Sequence, residues 1–318
     1  MTQFSGLAAL PARPLGPTGL QVTPLCLGCA PLASMPSVFY PVPEDQALAL
    51  VRAALQSPLN FLDTAAAYGD GESERRIGMV LRELGGLPPG YVLATKADRD
   101  ANTGDFSGAQ TRRSVERSLR LLGVDRLQLV HLHDPEYSSF EELTAPGGAI
   151  DVLLEYKAAG VIGALGVAGG PIDVMTRYVE TGAFDAVLTH NRYTLLDQSA
   201  GPLLDLATRL GMAVLNAAPY GGGMLAKGPA ASPKYAYRAA APELVARVQA
   251  IDALCQRYEV PLAAAALQFS LRDPRIHATV VGMTRSERLA QTVELALHPI
   301  PADLWAELVA ITANTAPI

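Results

Sequence analysis

Eight short apolar runs, each followed by a stretch of helical period, set the strongest limit on what this chain can fold into. The runs are TPLCLG (23–28), LNFLD (59–63), YVLATK (91–96), RLQLVHLH (126–133), VIGALGV (161–167), FDAVLTH (184–190), MAVLN (212–216) and HATVVG (277–282). Most are apolar along their whole length, as strands of a parallel sheet covered on both faces should be. Between them, apolar residues recur every three to four positions over 43–57, 72–84, 107–123, 149–160, 171–182, 199–211, 242–258 and 286–297. The first of these opens on acidic residues, and several end on glycine, as helices do. Eight strand–helix units predict a (β/α)8 TIM barrel. A doubly wound sheet is the rival, but it would place a Gly-rich fingerprint after its first strand, and GCAPLA is not one.

Three segments lie outside this alternation. A Gly-Pro-Thr-Gly turn at 16–19 predicts a short β-hairpin ahead of the barrel. The segment 218–242, rich in Gly, Pro and Ala, predicts a long loop over the barrel mouth. The stretch 301–313 predicts one extra helix. The 318 residues are read as a single domain, since barrels of this length are routinely one.

Composition narrows the class. At 49% hydrophobic and 18% charged residues, the chain can bury a large core. A net charge of −6 with scattered basic residues argues against nucleic acid and anionic membranes as partners. No apolar run reaches transmembrane length, and MTQFSGLAALPARPLG lacks the basic and apolar regions of a signal peptide. The expected location is cytoplasmic. Cys26 and Cys29 form a C-x-x-C in an extended run, where neither a redox pair nor a structural zinc site is expected. They are read as ordinary thiols, and Cys255 as helix packing.

Chemistry in a barrel collects at the C-terminal ends of the strands. The second run ends on Asp63, the third on Lys96 and the fourth on His133, with Tyr68 on the loop just past Asp63. Three charged or titratable groups after apolar neighbours would be costly if unpaired. Together they suit proton transfer to a carbonyl or from a hydroxyl. The lysine would favour the phenolate of Tyr68 and lower its pKa, Asp63 would keep the lysine charged, and the histidine would hold the substrate oxygen. Taken singly, each admits a structural role: Asp63 as a loop cap, Lys96 as a local ion-pair partner, His133 as a satisfied histidine. No nucleophile stands out, and no metal site is expected. His131, two residues earlier on the same face, is read as barrel filling.

The same residues carry a resemblance. FLDTAAAYGDGESERRIG, VLATK, SVERSLRLLGVDRLQLVHLHDPE, VIGALGVAGG and TVVGMTRSERLAQTVE resemble, in order and over nearly the whole chain, the aldo-keto reductase superfamily. Within it the chain is most similar to the sugar 1-dehydrogenase branch, the D-threo-aldose (L-fucose), L-galactose and pyridoxal dehydrogenases. The resemblance implies a barrel that binds NAD(P) across its strand ends, and a catalytic tetrad falling on Asp63, Tyr68, Lys96 and His133. It places other cofactor contacts at Gly28, Ala30 and Pro31, at His190, and at Ala218, Tyr220, Gly222 and Leu225. The adenosine end falls on Gly282, Met283, Thr284, Arg285, Arg288, Gln291 and Thr292. Ala168-Gly169 replace the usual Ser-Asn after the fifth strand, His190 the usual glutamine, and Ala217 the usual stacking aromatic. Gly282 and Met283 stand where NADPH-dedicated members carry lysine and serine, so NAD or dual use is favoured, although Arg285 and Arg288 could hold a 2′-phosphate.

The implied activity is oxidation of the anomeric hydroxyl of an aldose to a lactone. The first alternative is NADPH-dependent reduction of small aldehydes or ketones, and the second a cofactor-sensing regulatory subunit like the channel-associated members. The short tail after the last helix suggests an open, polar mouth suited to a sugar, and a monomer is the default. Specificity is assigned to 29–43, 97–106 and 218–242, on which Tyr40, Asp98 and Tyr220 are read as solvated loop residues within reach of a substrate.

Overall fold

The structure is a computed structural model that describes residues 10–35 and 41–312, so Tyr40 lies outside the described residues. The hairpin comes first: β1 (Arg13–Pro14) pairs antiparallel with β2 (Gln21–Val22) across a 3-10 turn at Gly16–Thr18. The barrel strands are β3 (Leu25–Gly28), β4 (Phe61–Asp63), β5 (Val92–Ala97), β6 (Leu127–His133), β7 (Ile162–Gly169), β8 (Ala186–His190) and β9 (Ala213–Ala217). A small pair, β10 (Lys234–Tyr235) and β11 (Arg238–Ala239), intervenes before the last barrel strand, β12 (Ala278–Gly282). The eight barrel strands run parallel and close in the order β12-β3-β4-β5-β6-β7-β8-β9. All eight predicted strands are therefore present.

The helices are α1 (Glu44–Ala54), α2 (Glu72–Leu84), α3 (Gly108–Leu122), α4 (Phe140–Thr144), α5 (Ala149–Ala158), α6 (Ile172–Glu180), α7 (Gly201–Arg209), α8 (Met224–Lys227), α9 (Pro242–Arg257), α10 (Leu262–Leu271), α11 (Glu287–Leu297) and α12 (Ala302–Thr312). Their ends follow from local chemistry. Ser107 caps α3 by accepting from the Gln110 amide, and Gly123 ends it in the left-handed conformation.

The period of two along each strand decides what faces the barrel interior. Cys26, Phe61, Val92, Ala94, Leu129, Ala164, Ala186, Leu188, Leu215 and Val280 form an inner cluster, closed below by Leu15 and Val22 of the hairpin. Their neighbours Leu27, Leu62, Leu93, Val130, Leu165, Val187, Val214 and Val281 point outward against the helices. Two residues on from Phe61, Ala94 and Leu188 come Asp63, Lys96 and His190, and four on from Leu129 comes His133. Parity thus puts these polar groups at the upper rim of the same interior. The three cysteines are buried free thiols.

One helix departs from the sequence reading. The segment 242–258 was expected to be the barrel helix after the seventh strand. It does form α9, but the helix against the strands is α10, which the reading lacked. Asn216 of β9 donates to Ser270 of α10 at 2.8 Å, and Ser270 shares a hydrogen bond with Thr279 of β12 at 2.8 Å. LAAAALQFSL is apolar nearly all round because α8, α9 and α11 pack around it, and with α12 packed on α9 its residues join Val248, Ile251, Leu304 and Leu308 in a second core. A helix buried on most sides shows little amphipathic period.

Behind β5, the wholly buried Glu74 of α2 accepts a hydrogen bond from Thr95 at 2.5 Å. Burial pushes its carboxyl up to about 7, against hydrogen bonding from Thr95 and Ser118. A carboxyl raised on folding keeps its proton in the folded chain after the unfolded chain has lost it. The cost is absent below the unfolded value and grows as pH climbs to about 7, reaching about 3 kcal/mol. Glu74→Gln, which keeps an acceptor for Thr95, should therefore raise the melting temperature at pH 8 and change it little at pH 4. A difference independent of pH would show that Glu74 does not titrate this way.

Candidate active site

Lys96 is the centre of the mouth. It is 1% exposed, and its ammonium spends all three N–H groups on protein partners. Nζ donates to Asp63 Oδ2 at 2.6 Å, to the Thr64 carbonyl at 2.7 Å and to Tyr68 Oη at 3.2 Å. Burial opposes the lysine charge, but the Asp63 carboxylate and Tyr68 outweigh it and hold Lys96 above its ordinary value. The pair is retained in the barrel because each charge supplies the other's counter-ion.

The loop after β4 is built to deliver Tyr68. Gly69, Asp70 and Gly71 all have positive φ. A Cβ on Gly69 would lie 2.7 Å from the Ala33 carbonyl, so that turn demands glycine. Thr64 donates to Ser73 at 2.8 Å, and Ser73 donates to the Cys29 carbonyl at 2.9 Å, tying the loop to α2 and to the end of β3. The half-buried Tyr68 ring meets His133 edge-on, with centroids 5.7 Å apart.

The electrostatics of Tyr68 differ from the sequence expectation. Burial raises the phenol above its ordinary value, and Lys96 pulls it down without prevailing. The net direction is up; the sequence shows the lysine but not the desolvation that opposes it. His133 moves up as well: burial works against its charge, but Asp98 and Asp134 outweigh it. Nδ1 lies 2.6 Å from Asp98 Oδ1, and Nε2 lies 3.7 Å from Asp134 Oδ1. His131, wholly buried one layer below, is pushed well below the ordinary histidine value by burial and by Lys96, and fills the barrel beside Gly166.

This arrangement matches known proteins over most of the chain. The model of the aldo/keto reductase family covers residues 24–313. The chain belongs to the aldo/keto reductase family. It is 32% identical to D-threo-aldose 1-dehydrogenase of a Pseudomonas species, over 91% of this chain and 94% of that one. It is also 32% identical to L-galactose dehydrogenase of Arabidopsis thaliana, over 88% and 86%. An aldo-keto reductase from Bacillus halodurans, solved in its holo form, superposes with a TM-score of 0.77 over 97% of this chain and 98% of its own, at 22% identity, a likeness of fold. This family member is thus an oxidoreductase that uses a nicotinamide cofactor on small molecules. Among the described residues, no helix is long and apolar enough to cross a membrane.

The suggested cofactor residues of this aldo/keto reductase occupy the rim from β9 through β12 to β3. Gly282 of β12 pairs in register with Gly28 of β3, and a Cβ on Gly282 would lie 3.1 Å from Pro31. Ala30 is half-buried beside them, and Thr284 accepts from Gln46 through its carbonyl at 2.6 Å. Ala218 has φ 56°, and Gly222 φ 79°. Burial raises the Tyr220 phenol, and the charge of Arg288 on α11 opposes it without prevailing. Arg285 and Gln291 are exposed, and Arg288 donates to Gln291 at 3.0 Å. Three side chains are turned away. Leu225 is wholly buried, and Met283 and Thr292 are 4% and 5% exposed, with the Thr292 hydroxyl 3.8 Å from the Met283 sulfur. The segment 218–242 is built from the Gly221–Gly223 turn, α8 and the β10–β11 pair, and Tyr235 anchors it by donating to the Asn191 carbonyl at 3.1 Å.

Opposite this arc, His190 ends β8 beside two acids that sequence reasoning passed over. Ligand atoms of His190, Asp134 and Glu136 lie within 4.8 Å of one another. Glu136 Oε1 accepts from the Gly170 amide at 3.2 Å, while its buried Oε2 has no partner among the described residues. A Cβ on Gly169 would lie 2.8 Å from that oxygen. Gly169, the last residue of β7, leaves room for Glu136 and Met175. An orphan acceptor next to an imidazole fits the amide of a nicotinamide. The signal lay in the sequence as Pro135-Glu136 four residues after a buried strand position, set against two glycines.

Asp98 was also misjudged. Read as a solvated loop residue, it is 6% exposed and bonded to His133. The reading treated the strand as over at Lys96, whereas β5 continues through Ala97 and hands Asp98 directly into the site.

Removing one member of the buried pair leaves the other uncompensated. Asp63→Ala should destabilise the protein by about 3–5 kcal/mol, read from urea unfolding. Asp63→Asn with Lys96→Met should recover most of that loss, and equal losses in both variants would mean the charges are not coupled.

Proposed function

We propose that this oxidoreductase converts the anomeric hydroxyl of an aldose to a lactone carbonyl, with Tyr68 as its acid/base. The observation that carries the reading is the Lys96 ammonium shared between Asp63 and Tyr68 at 2.6 and 3.2 Å, with the His133 ring against the tyrosine. That the similar proteins named above act on D-threo-aldoses and L-galactose supports the substrate class. The substrate oxygen sits between Tyr68 Oη and His133 Nε2. As the hydroxyl becomes a carbonyl, its proton passes to the Tyr68 oxygen and its C1 hydrogen leaves as hydride. The nicotinamide supplies the hydride acceptor when bound. Lys96 stabilises the tyrosinate, Asp63 keeps Lys96 charged, and His133 orients the oxygen.

Within this reading Gly28, Ala30, Pro31, Ala218, Tyr220 and Gly222 would line the cofactor's path, while His190 and Glu136 would take its amide. Leu225, Met283 and Thr292 shape that path from behind, through backbone and packing. NAD is favoured over NADP because Gly282 offers no side chain and Met283 none that is exposed. Arg285 and Arg288 leave dual use within reach. The chain is taken to work as a monomer on a small sugar or aldehyde.

One observation favours the reductive alternative. Burial raises the phenol, so at neutral pH Tyr68 carries the proton that reduction of a carbonyl would take up. Oxidation needs the tyrosinate, so its rate should climb with pH on the alkaline side, while reduction should fall there.

The test is initial-rate oxidation of an aldose panel, including L-fucose, L-galactose and D-arabinose, with NAD and then NADP. NAD-linked turnover of one sugar is the expected outcome. No oxidation, with NADPH-linked reduction of simple aldehydes, would move the chain to the carbonyl reductases. Tyr68→Phe should cost about 10²–10⁴ in turnover with cofactor affinity kept, and a variant near full activity would remove Tyr68 from the chemistry.

A further inference from the structure

Asp98 makes two contacts that join the halves of the site. Its Oδ1 lies 2.6 Å from His133 Nδ1, and its Oδ2 accepts the Ala67 backbone N–H at 2.8 Å, one residue before Tyr68. The residue is itself held by α3. Its N–H donates to Ser114 Oγ at 3.0 Å, and its carbonyl accepts from Gln110 at 3.2 Å. With 6% exposure, its carboxylate has little water to replace either partner.

We infer that Asp98 is a positioning residue that locks Tyr68 and His133 into one working geometry, one oxygen orienting the imidazole and the other holding the backbone that carries the tyrosine. The inference rests on the oxidoreductase reading of the four residues above. A carboxylate facing Nδ1 requires that nitrogen to carry its proton. Nε2 is then the atom left for the mouth, and when it is protonated it donates to a substrate oxygen. The groups packed around His133 are Lys96 of β5 and Asp98 just past it, His131 of β6 with Asp134 and Glu136 in the turn after it, Tyr68 from the β4 loop and His190 of β8. Asp98 and Asp134 favour the imidazolium, and Lys96 disfavours it.

Only a carboxylate can serve both N–H groups here. An asparagine has one acceptor oxygen, so Asp98→Asn must release either His133 or the tyrosine loop, and it removes the negative charge in both cases. The chain has five histidines, few enough for each to be followed by carbon-13 NMR of labelled protein, with His133→Gln giving the assignment. In Asp98→Asn the His133 titration should move to lower pH, and kcat should fall about tenfold to a hundredfold while the cofactor dissociation constant stays within about twofold. Asp98→Glu should restore part of both the titration and kcat. A His133 titration unchanged in Asp98→Asn overturns the inference, as does a loss of kcat that only tracks a fall in melting temperature. The titration is read without turnover. If the unsubstituted protein oxidises no aldose and reduces no aldehyde, the functional reading fails while the clamp is still decided by NMR.

Discussion

The pair formed by Lys96 and Asp63 is the constraint around which the upper barrel is arranged. Two full charges 2.6 Å apart, each nearly inaccessible to water, are stable only in fixed geometry, and here the ammonium fills all three of its N–H groups while Asp63 Oδ1 has no partner among the described residues. That requirement dictates much of what surrounds them. Thr64 must present its carbonyl to the ammonium, so the chain turns inward directly after Asp63. The third ammonium proton then needs an acceptor, and Tyr68 supplies it. The tyrosine can reach it only if the loop reverses sharply, which calls for the run of positive φ at Gly69, Asp70 and Gly71. A strand that had to bury a charge thus accounts for a glycine turn six residues further on.

Strain recurs around the same rim. Asp134, Asn191 and Ala218 follow β6, β8 and β9, and all three take positive φ at 45°, 59° and 56° without being glycine. Side chains in that region cost of order 1 kcal/mol each. They sit next to His133, His190 and Ala217, where the backbone must turn off the barrel while leaving the last inward residue facing the mouth. Below the rim, Phe61, Leu129, Leu188 and Leu215 share one buried apolar cluster, and Ala217 of the rim packs against it.

The parts of this molecule legible in the sequence are those governed by local pattern. Each barrel strand could be found because a strand buried on both faces has to be apolar throughout, and Asp63, Lys96 and His133 stood out against that background. What escaped reading depended on tertiary neighbours. Helix α10 was hidden because α8, α9 and α11 surround it and leave it no polar face. Asp98 looked like a loop residue because nothing local says that β5 runs one residue beyond Lys96 or that His133 lies opposite. Glu136 gained meaning only when Gly169 and Gly170 were seen to make room for it. The upward push on Tyr68 was misjudged for the same reason, since the charge of Lys96 can be read from a sequence but the desolvation of the phenol cannot.

The charges at the mouth are distributed unevenly, and this bears on the tyrosine. Lys96 is matched by Asp63 and a protonated His133 by Asp98, so these four groups nearly cancel. Asp134 and Glu136 are left over on the β6–β8 side, next to His190. Negative charge there raises the Tyr68 phenol, and Asp134 contributes in that direction. It also makes that side of the mouth favourable to a cation. An oxidised nicotinamide carries positive charge on its ring, whereas the reduced form does not. Tyr68 would therefore ionise more readily beside the oxidised ring and hold its proton beside the reduced one. On this argument the tyrosine need not be poised at neutral pH in advance. Under the proposed function its acidity would follow the redox state of its neighbour, giving a base when hydride is to be removed from the substrate and an acid when hydride is to be delivered.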